Sequence, residues 1–286
     1  MAESKFKLIE CPRDAMQGIH NFIPTELKAA YINLLLQVGF DTIDFGSFVS
    51  PKAIPQMQDT AEVLKKLDLS STQSKLLAII ANYRGAEDAA QYNEISYLGY
   101  PFSISETFQL RNANSTVAQS FDTVKRLREL CTVKNKELLV YLSMGFGNPY
   151  GDEWNMEIVQ EWSAKLIAEK IKIIALSDTV GVATPQQISD IYPALCRSFP
   201  GTEFGLHLHA TPSGWREKIE ASYNSGCLRF DSAIKGYGGC PMAADELTGN
   251  IATENLISYL QLQNEHLGLN MDKFREAMEY SSKVFI

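Results

Sequence analysis

The 286-residue sequence predicts an α/β protein, a single (β/α)8 barrel over residues 1–286 with an additional C-terminal helix. Three observations support this fold class. Short apolar runs alternate with amphipathic stretches, there are eight such runs, and no GxGxxG motif follows the first of them. Alternation implies βαβ units and a parallel sheet, and eight units in a chain of this length favour a closed barrel over an open sheet. The missing glycine motif argues against a dinucleotide-binding fold.

The predicted strands are the short runs of β-branched and apolar residues. Runs of this length and composition, separated by helical stretches, are typical of a parallel sheet. In chain order they are Phe6–Glu10, Thr42–Phe45, Leu76–Ala81, Ile95–Leu98, Leu138–Leu142, Ile171–Leu176, Phe204–His209 and Cys227–Ile234.

The predicted helices are stretches whose apolar residues recur at helical spacing. The start at Thr184-Pro185 is the clearest, because a proline at the first helical position loses no N–H that the helix needs. We assign the stretch 253–263 to the last barrel helix and 271–281 to the C-terminal addition. The helices are Pro24–Val38, Ser115–Leu130, Met156–Glu169, Thr184–Ser198, Thr253–Gln263 and Met271–Ser281.

Composition limits the partners that the protein surface can bind. The net charge is −8 and the isoelectric point is about 5.1, so neither nucleic acid nor an anionic membrane suits the surface as a whole. No apolar run approaches the length of a membrane span, and the first ten residues contain no apolar signal core. The five cysteines are scattered without CxxC spacing, which favours a reducing compartment. We therefore expect a cytoplasmic protein that binds a small molecule.

Polar and ionisable residues gather where the predicted strands end. Active sites of such barrels lie at the C-terminal ends of the strands, so these residues are expected to share one face of the molecule. The strand ends provide Arg13 and Asp14, Asp44, Asn82, Ser143, Asp178, His207 and His209, and the loop Lys235–Pro241 that contains Cys240.

His207 and His209 are the sharpest local feature of the sequence. Residues two apart on a strand point to the same face, so both imidazoles would face the barrel axis. The pair alone supports two interpretations equally, metal ligands or hydrogen-bonded core histidines. Asp14 alone is better explained as a turn residue or ion-pair partner. If it faces the histidines, the three make a nitrogen and oxygen site that suits Mg²⁺ or Mn²⁺, with Arg13 beside it.

Two further segments also allow two interpretations each. The glycine-rich segment 236–241 is either a tight turn or a mobile loop that carries the Cys240 thiol over the barrel mouth. Asn250 is either a helix cap, the more common role for such a residue, or an oxygen ligand.

Taken together, these segments resemble the 3-hydroxy-3-methylglutaryl-CoA lyase family of metal-dependent TIM barrels. The matching motifs extend from about Lys7 to about Glu254, and SFVSPK together with GYGGCP is the most specific combination. The motifs are ECPRDAMQ (10–17), SFVSPK (47–52), PQM (55–57), NPY (148–150), DTVG (178–181), HLH (207–209), GYGGCP (236–241) and GNIATE (249–254).

The resemblance implies a function and a role for each residue. The reaction would be the retro-Claisen cleavage of 3-hydroxy-3-methylglutaryl-CoA, or a close analogue, to acetyl-CoA and acetoacetate. The partner would be an acyl-CoA substrate, the cofactor Mg²⁺ or Mn²⁺, and the assembly a homodimer. The implied metal ligands are Asp14, His207, His209 and Asn250; the catalytic residues are Arg13, Cys240, Asp44 and Asp178; the substrate-binding residues are Arg13, Gln17, Asn82 and Ser143.

Three departures separate this sequence from the pattern of the family. Ala15-Met16 replaces Gly-Leu, Asp44 replaces glutamate, and Ala210 replaces the aspartate that usually follows the second histidine. The departures keep two alternatives open. One is an aldolase or Claisen-type synthase of the wider barrel group that acts on a 2-oxo acid. The other is a catalytically impaired, ligand-binding barrel.

Overall fold

A computed structural model describes residues 4–239 and 248–285 and contains a closed barrel of eight parallel strands. The barrel strands follow one another in chain order, and β9 closes the ring by pairing with both β7 and β1. The remaining two strands, β8 and β10, form a separate antiparallel pair. The strands are β1 (Lys7–Glu10), β2 (Thr42–Ser47), β3 (Lys75–Ile79), β4 (Ile95–Ser103), β5 (Glu137–Ser143), β6 (Ile173–Ser177), β7 (Glu203–His207), β8 (His209–Ala210), β9 (Arg229–Ser232) and β10 (Gly249–Asn250).

Eleven helices are found in the described part of the chain, and none of them is long and apolar enough to cross a membrane. Two short 3-10 turns, Pro55–Met57 and Ile234–Gly236, complete the regular structure. The helices are α1 (Pro12–Gln17), α2 (Thr25–Leu36), α3 (Thr60–Leu64), α4 (Tyr83–Ala89), α5 (Glu106–Ala113), α6 (Val117–Val133), α7 (Met156–Ala168), α8 (Pro185–Ser198), α9 (Trp215–Asn224), α10 (Thr253–Leu262) and α11 (Met271–Val284).

The predicted fold class is confirmed, including the C-terminal helix α11, which packs against α2. The predicted helix start at Thr184 is also found. Its hydroxyl accepts a hydrogen bond from the backbone N–H of Gln187, and the side-chain oxygen of Gln187 accepts one from the backbone N–H of Thr184. This reciprocal cap satisfies two backbone donors that have no partner inside the helix.

One predicted strand is divided in the structure. The run Phe204–His209 was expected to be continuous, but β7 ends at His207 and β8 begins at His209. His209 pairs with Asn250 in antiparallel register instead of continuing along the barrel. The break follows from the partner strand, because β10 crosses this end of the barrel and provides hydrogen bonds that β6 and β9 do not provide to His209.

The sequence pattern did not predict α1, α3, α4, α5 and α9. They are at most ten residues long, so they contain too few turns for an apolar stripe to stand out. The most consequential is α1, because Arg13 and Asp14 were expected at the end of a strand. Pro12 starts this helix at once, and both side chains therefore project from its first turn.

The barrel interior contains a second, smaller core. Side chains from alternate positions of β3, β4, β5 and β6 fill it, among them Leu77, Leu139 and Tyr141. Arg229 also enters this space and is almost completely buried. A Cβ at Gly205 would lie 2.8 Å from the Cδ atom of Arg229, so the absence of a side chain on β7 makes room for the arginine.

Glu10 joins the barrel to the last barrel helix. Its two carboxylate oxygens accept hydrogen bonds from the backbone N–H of Ile234, at 2.8 Å, and from the hydroxyl of Thr253, at 2.6 Å. Burial raises the pKa of Glu10 from its ordinary value of 4.5 to about 8, although both hydrogen bonds act in the opposite direction. Folding therefore binds a proton at this site over much of the neutral range.

We expect Glu10→Gln to remove a pH dependence of stability. Because the folded pKa is above the unfolded one, the stabilisation is complete below pH 4.5 and is lost as the pH rises through 8. Between pH 5 and pH 9 the free energy of unfolding of the parent should fall, relative to that of Glu10→Gln, by on the order of a few kcal/mol. One pKa unit corresponds to about 1.4 kcal/mol. Urea unfolding between pH 5 and pH 9 measures this difference.

The variant Glu62→Gln is the control, because the Glu62 side chain is 59% exposed and forms a surface ion pair with Lys65. It should follow the pH profile of the parent. Parallel profiles for the parent and Glu10→Gln would show that Glu10 is ionised in the folded protein throughout the neutral range.

Candidate metal centre and active site

Asp14, His207 and His209 come together at the C-terminal end of the barrel. One carboxylate oxygen and one nitrogen from each imidazole lie within 4.8 Å of one another, which is a spacing that one metal ion can bridge. The two imidazole rings have centroids 5.1 Å apart and an interplanar angle of 74°. The two imidazole rings therefore lie next to each other, although the strand is divided between β7 and β8.

Each imidazole is oriented by a hydrogen bond at Nδ1. That of His207 lies 3.2 Å from a carboxylate oxygen of Asp231 on β9. That of His209 lies 3.1 Å from the backbone carbonyl oxygen of Thr179, so Nδ1 carries the proton and Nε2 presents its lone pair. The Nε2 atom of His209 is buried and has no hydrogen-bond partner among the described residues. A buried nitrogen with a free lone pair, held by a partner on the other ring nitrogen, is typical of metal ligands.

The two histidines differ in charge. Burial, together with the neighbouring His207, lowers the pKa of His209 to about 4, so this ring is neutral near pH 7 and able to ligate a cation. Burial also acts to lower the pKa of His207, but the hydrogen bond and charge of Asp231 outweigh it and raise the pKa above its ordinary value. His207 therefore holds a proton more readily than His209 does.

Asn250 lies beside Asp14 because β10 pairs with β8. Its amide nitrogen donates to Asp14 Oδ2 at 2.6 Å and to the backbone carbonyl of Tyr237 at 2.8 Å. The backbone N–H of Gly239 also points at Asp14 Oδ2, at 3.3 Å. Gly238 has a φ of +85°, and a Cβ there would lie 2.6 Å from the carbonyl oxygen of Asp14, so this loop can reach the site only as glycine.

Burial acts to raise the pKa of Asp14, but Arg13 and the two histidines outweigh it and hold the pKa below its ordinary range. Asp14 is therefore a carboxylate at neutral pH. Together with two imidazoles it forms a mixed nitrogen and oxygen donor set that suits a hard or borderline divalent cation.

The Arg13 guanidinium is fixed by two carboxylates. Its Nε and Nη2 atoms donate to Asp44, at 3.1 and 2.5 Å, and Nη1 donates to Asp14 at 2.9 Å and to the Gln17 amide oxygen at 2.8 Å. A guanidinium has five N–H groups, so these four bonds leave one Nη2 hydrogen without an acceptor in the described residues. This hydrogen is available to an oxyanion of a bound molecule.

Asp44 is the buried counter-ion of this arginine. Burial raises the pKa of Asp44 to about 6, against the opposing effect of Arg13. The group remains ionised at pH 7, and the fork between the two side chains fixes the plane of the guanidinium. The shorter side chain at this position therefore still reaches Arg13 directly.

Asp178 lies at the end of β6, where both of its oxygens are engaged. Oδ2 accepts from the Lys218 ammonium at 2.6 Å, and Oδ1 accepts from the backbone N–H of Ala183 at 2.9 Å. Lys218, on α9, also donates to the backbone carbonyls of His209, at 2.7 Å, and Gly181, at 3.0 Å. The lysine thus ties the β6 loop to the strand that carries His209.

The remaining predicted residues are less closely joined to this cluster. Gln17 contacts it, because its amide nitrogen donates to Asp14 at 3.1 Å. Asn82 caps α4 by accepting from the backbone N–H of Gly85, and Ser143 lies opposite Ser103 at the end of β5. No hydrogen bond within the described ranges joins either residue to Asp14, His207 or His209. Cys240 lies outside the described residues.

Lys218 and Asp231, which hold the site in place, are not among the residues predicted from the sequence. Asp231 had a signal, because it is an acidic residue inside the predicted apolar strand 227–234 and is spaced by two from Arg229. Lys218 had none, because a lysine in a region without a predicted helix resembles any surface lysine. Its burial becomes visible only when α9 packs over the end of β6.

Known proteins resemble this chain over almost its whole length. The HMGL-like family model matches residues 6–280. The mitochondrial hydroxymethylglutaryl-CoA lyase of Mus musculus is 32% identical over 277 residues, which cover 96% of this chain and 84% of that protein. The crystal structure of the Bacillus subtilis HMG-CoA lyase aligns with a TM-score of 0.91 at 30% identity over 99% and 95% of the two chains.

A structure of an HMG-CoA lyase from Acinetobacter baumannii in complex with coenzyme A and 3-methylmalate also aligns closely. Its TM-score is 0.90 at 30% identity, over 100% of this chain and 93% of that chain.

Replacement of Lys218 by methionine is expected to destabilise the protein by about 3–5 kcal/mol, because it leaves the buried Asp178 carboxylate without its counter-ion. The double variant Lys218→Met/Asp178→Asn should recover part of this loss, since an asparagine oxygen still accepts from Ala183. Chemical denaturation of the two variants and the parent measures the effect. Equal midpoints for the parent and Lys218→Met would contradict the role of the lysine as an anchor.

Proposed function

This chain belongs to the HMGL-like family, and on that premise we propose that it is a metal-dependent lyase that cleaves 3-hydroxy-3-methylglutaryl-CoA, or a close analogue, to acetyl-CoA and acetoacetate. The relatives at about 30% identity are lyases by name, and the chain is an enzyme of that class. The placement of Asp14, His207 and His209 beside Arg13 is the observation that supports the proposal most directly.

The residues present fit a divalent cation. Three ligand atoms from separate elements face one another, and one of them, Nε2 of His209, is buried without a partner in the described chain. We propose Asp14, His207 and His209 as the protein ligands, with Asn250 as a fourth once its amide is turned to present oxygen. Mg²⁺ and Mn²⁺ suit a donor set that lacks sulfur, and Asn250 lies within hydrogen-bond distance of Asp14 already.

A cation at this position supplies Lewis-acid chemistry, which lowers the pKa of a substrate hydroxyl and fixes its orientation. The protein side chains account for the rest of the reaction. We propose Asp14 as the base, because a carboxylate keeps a lone pair while it binds a cation. His207 has its Nδ1–H on Asp231 and its one lone pair on the cation, so its role is to bind and not to accept the proton. Arg13 directs its one available N–H toward the charge that develops on the thioester enolate when the carbon–carbon bond breaks.

Cys240 is proposed as the acid that returns a proton to the enolate carbon. The support for this role is the GYGGCP motif and the course of the preceding residues. Gly238 contacts the Asp14 backbone, and the N–H of Gly239 points at the Asp14 carboxylate, so the chain leads from the metal ligands directly to residue 240. Asp44 is proposed as a positioning residue for Arg13, and Asp178 as a positioning residue through Lys218.

The substitutions Ala15 and Ala210 bear on the choice of acyl-CoA. Both side chains are buried beside proposed metal ligands, Ala15 next to Asp14 and Ala210 next to His209. Lys218 binds the backbone carbonyl of His209 at 2.7 Å, so the ligand strand has a fixed neighbour without an aspartate at position 210. We propose that the chain retains lyase chemistry, and that residues 1–286 form one domain. Cytoplasmic location and a homodimer stay predictions from the sequence.

Incubation with 3-hydroxy-3-methylglutaryl-CoA and Mg²⁺ or Mn²⁺ is expected to release acetyl-CoA and acetoacetate, measured by mass spectrometry. Chelation of the metal should abolish release, and addition of either ion should restore it, because the Lewis acid that activates the substrate hydroxyl is removed and then returned. A panel of other 3-hydroxy-acyl-CoA thioesters and 2-oxo acids tests the substrate class in the same assay.

Cys240→Ala distinguishes this lyase from the wider barrel group, which does not carry the cysteine loop. Near-normal turnover in Cys240→Ala would contradict the proposed acid. Metal and thioester binding without cleavage of any substrate would contradict the lyase activity as a whole.

Arg13→Lys is expected to lower kcat by about 10²–10³-fold with a smaller change in KM, because a lysine keeps the charge but loses the fork to Asp44 and the directed N–H. Steady-state kinetics at saturating Mn²⁺ measures both constants. Arg126→Lys is the matched control, since Arg126 stacks on Tyr83 at the surface of α6, away from the site. A rise in KM alone would indicate that Arg13 binds the ground state and not the developing enolate.

A further inference from the structure

A second group of ligand atoms lies next to the first and shares His207 with it. It consists of Cys11, His207 and Asp231, whose sulfur, nitrogen and oxygen atoms are also within 4.8 Å of one another. Cys11 follows β1 directly, and Asp231 lies on β9, the strand that closes the barrel against β1. We call this set the inner group, and we call Asp14, His207 and His209 the outer group.

The inner group faces the barrel interior. Ile9 and Asp231 are paired in the parallel register of β1 and β9, and side chains alternate along a strand, so Cys11 shares the face of Ile9. Cys11 is fully buried and Asp231 is 3% exposed. The three donors are therefore enclosed by protein, and access to them is from the side of His207.

An independent observation points to a ligand at this position. The Oδ1 atom of Asp231 is buried and has no hydrogen-bond partner among the described residues, and the hydroxyl of Tyr141 is in the same condition. The Tyr141 ring packs edge-on against His207, with centroids 5.6 Å apart. Unpartnered buried oxygens are costly, and a bound cation satisfies them.

We propose that Cys11, His207 and Asp231 form a second, inner metal site that selects a thiophilic divalent ion such as Zn²⁺. Thiolate, imidazole and carboxylate are a common ligand combination for zinc, and the sulfur disfavours Mg²⁺. The spacing of 3.2 Å between His207 Nδ1 and Asp231 Oδ2 is close to the separation of two donors on one tetrahedral ion.

The surroundings of Cys11 disfavour a free thiolate. Burial and the carboxylates of Asp231, Asp44 and Asp14 raise the pKa of the Cys11 thiol far above its usual value. Asp14 and Asp44 are paired with Arg13, so the carboxylate oxygen available to an ion is the unpartnered Oδ1 of Asp231. The thiol would lose its proton to solvent as the metal–sulfur bond forms.

Occupation of the inner site acts on the outer group through His207. Its Nδ1 faces Asp231, so a metal on Nδ1 displaces that hydrogen bond. A neutral imidazole has one lone-pair nitrogen, and the ring would then carry its proton on Nε2 and cease to bind the outer cation. Zn²⁺ is therefore expected to weaken Mg²⁺ or Mn²⁺ binding, a consequence that rests on the proposed function of the outer group.

Co²⁺ binding to the metal-free full chain tests the inner site, because thiolate ligation gives a charge-transfer absorption in the near ultraviolet. The band is expected in the parent and in Cys240→Ala, and it should be lost in both Cys11→Ala and Cys11→Ser. Cys131→Ala is the matched control, since Cys131 is a buried cysteine on α6. A band that survives in both Cys11 variants overturns the proposal, and so does the absence of a band in the folded parent.

Competition between Zn²⁺ and Mn²⁺ provides a second measurement. Zn²⁺ should displace Mn²⁺ from the parent at a free Zn²⁺ concentration about tenfold or more below that needed for Cys11→Ala, seen as free Mn²⁺ by electron paramagnetic resonance, because only the parent offers the thiolate. An equal effect in Cys11→Ala would mean that Zn²⁺ simply occupies the outer group, which contradicts an inner site. Neither measurement depends on turnover. The inner site can therefore be confirmed or overturned whether or not the proposed lyase activity is found.

Discussion

The buried ion pair between Arg13 and Asp44 is the interaction on which the site depends. It joins the first turn of α1 to β2 and fixes the plane of the guanidinium, whose Nη1 then holds Asp14. Asp14 in turn accepts from Asn250, and Asn250 is paired with His209. Removal of one partner from a buried pair leaves an unpaired charge at a cost of about 3–5 kcal/mol, so this chain of contacts is expected to fail as a unit.

A second set of contacts supports the histidines from the opposite side. Lys218 binds Asp178, Gly181 and the backbone of His209, and Asp231 orients the ring of His207. Polar partners thus hold both imidazole rings in their orientations. This arrangement is consistent with a centre that must hold charge in a buried position, where an unpaired donor or acceptor would be costly.

The sequence predicted the barrel and the residues at its mouth because strand ends can be identified from local patterns. The apolar runs located all eight strands, and the spacing of His207 and His209 placed both rings at one site. The sequence did not predict α1, because six residues are too few to show a helical period. It also did not predict the break after His207, because the pairing partner of His209 lies on β10. Lys218 was missed because its burial depends on how α9 packs, which no neighbouring residue indicates.

The hydrogen bond between Asp14 and Asn250 joins an early part of the chain to a part that is synthesised late. These two residues are 236 positions apart, and the strand that closes the barrel, β9, is the last of the eight to be synthesised. A nascent chain that ends before β9 contains Arg13 and Asp14 but has neither a closed barrel nor Asn250. Contacts of such long range form late in folding. The proposed metal site of the outer group is therefore complete only after nearly the whole chain has been synthesised.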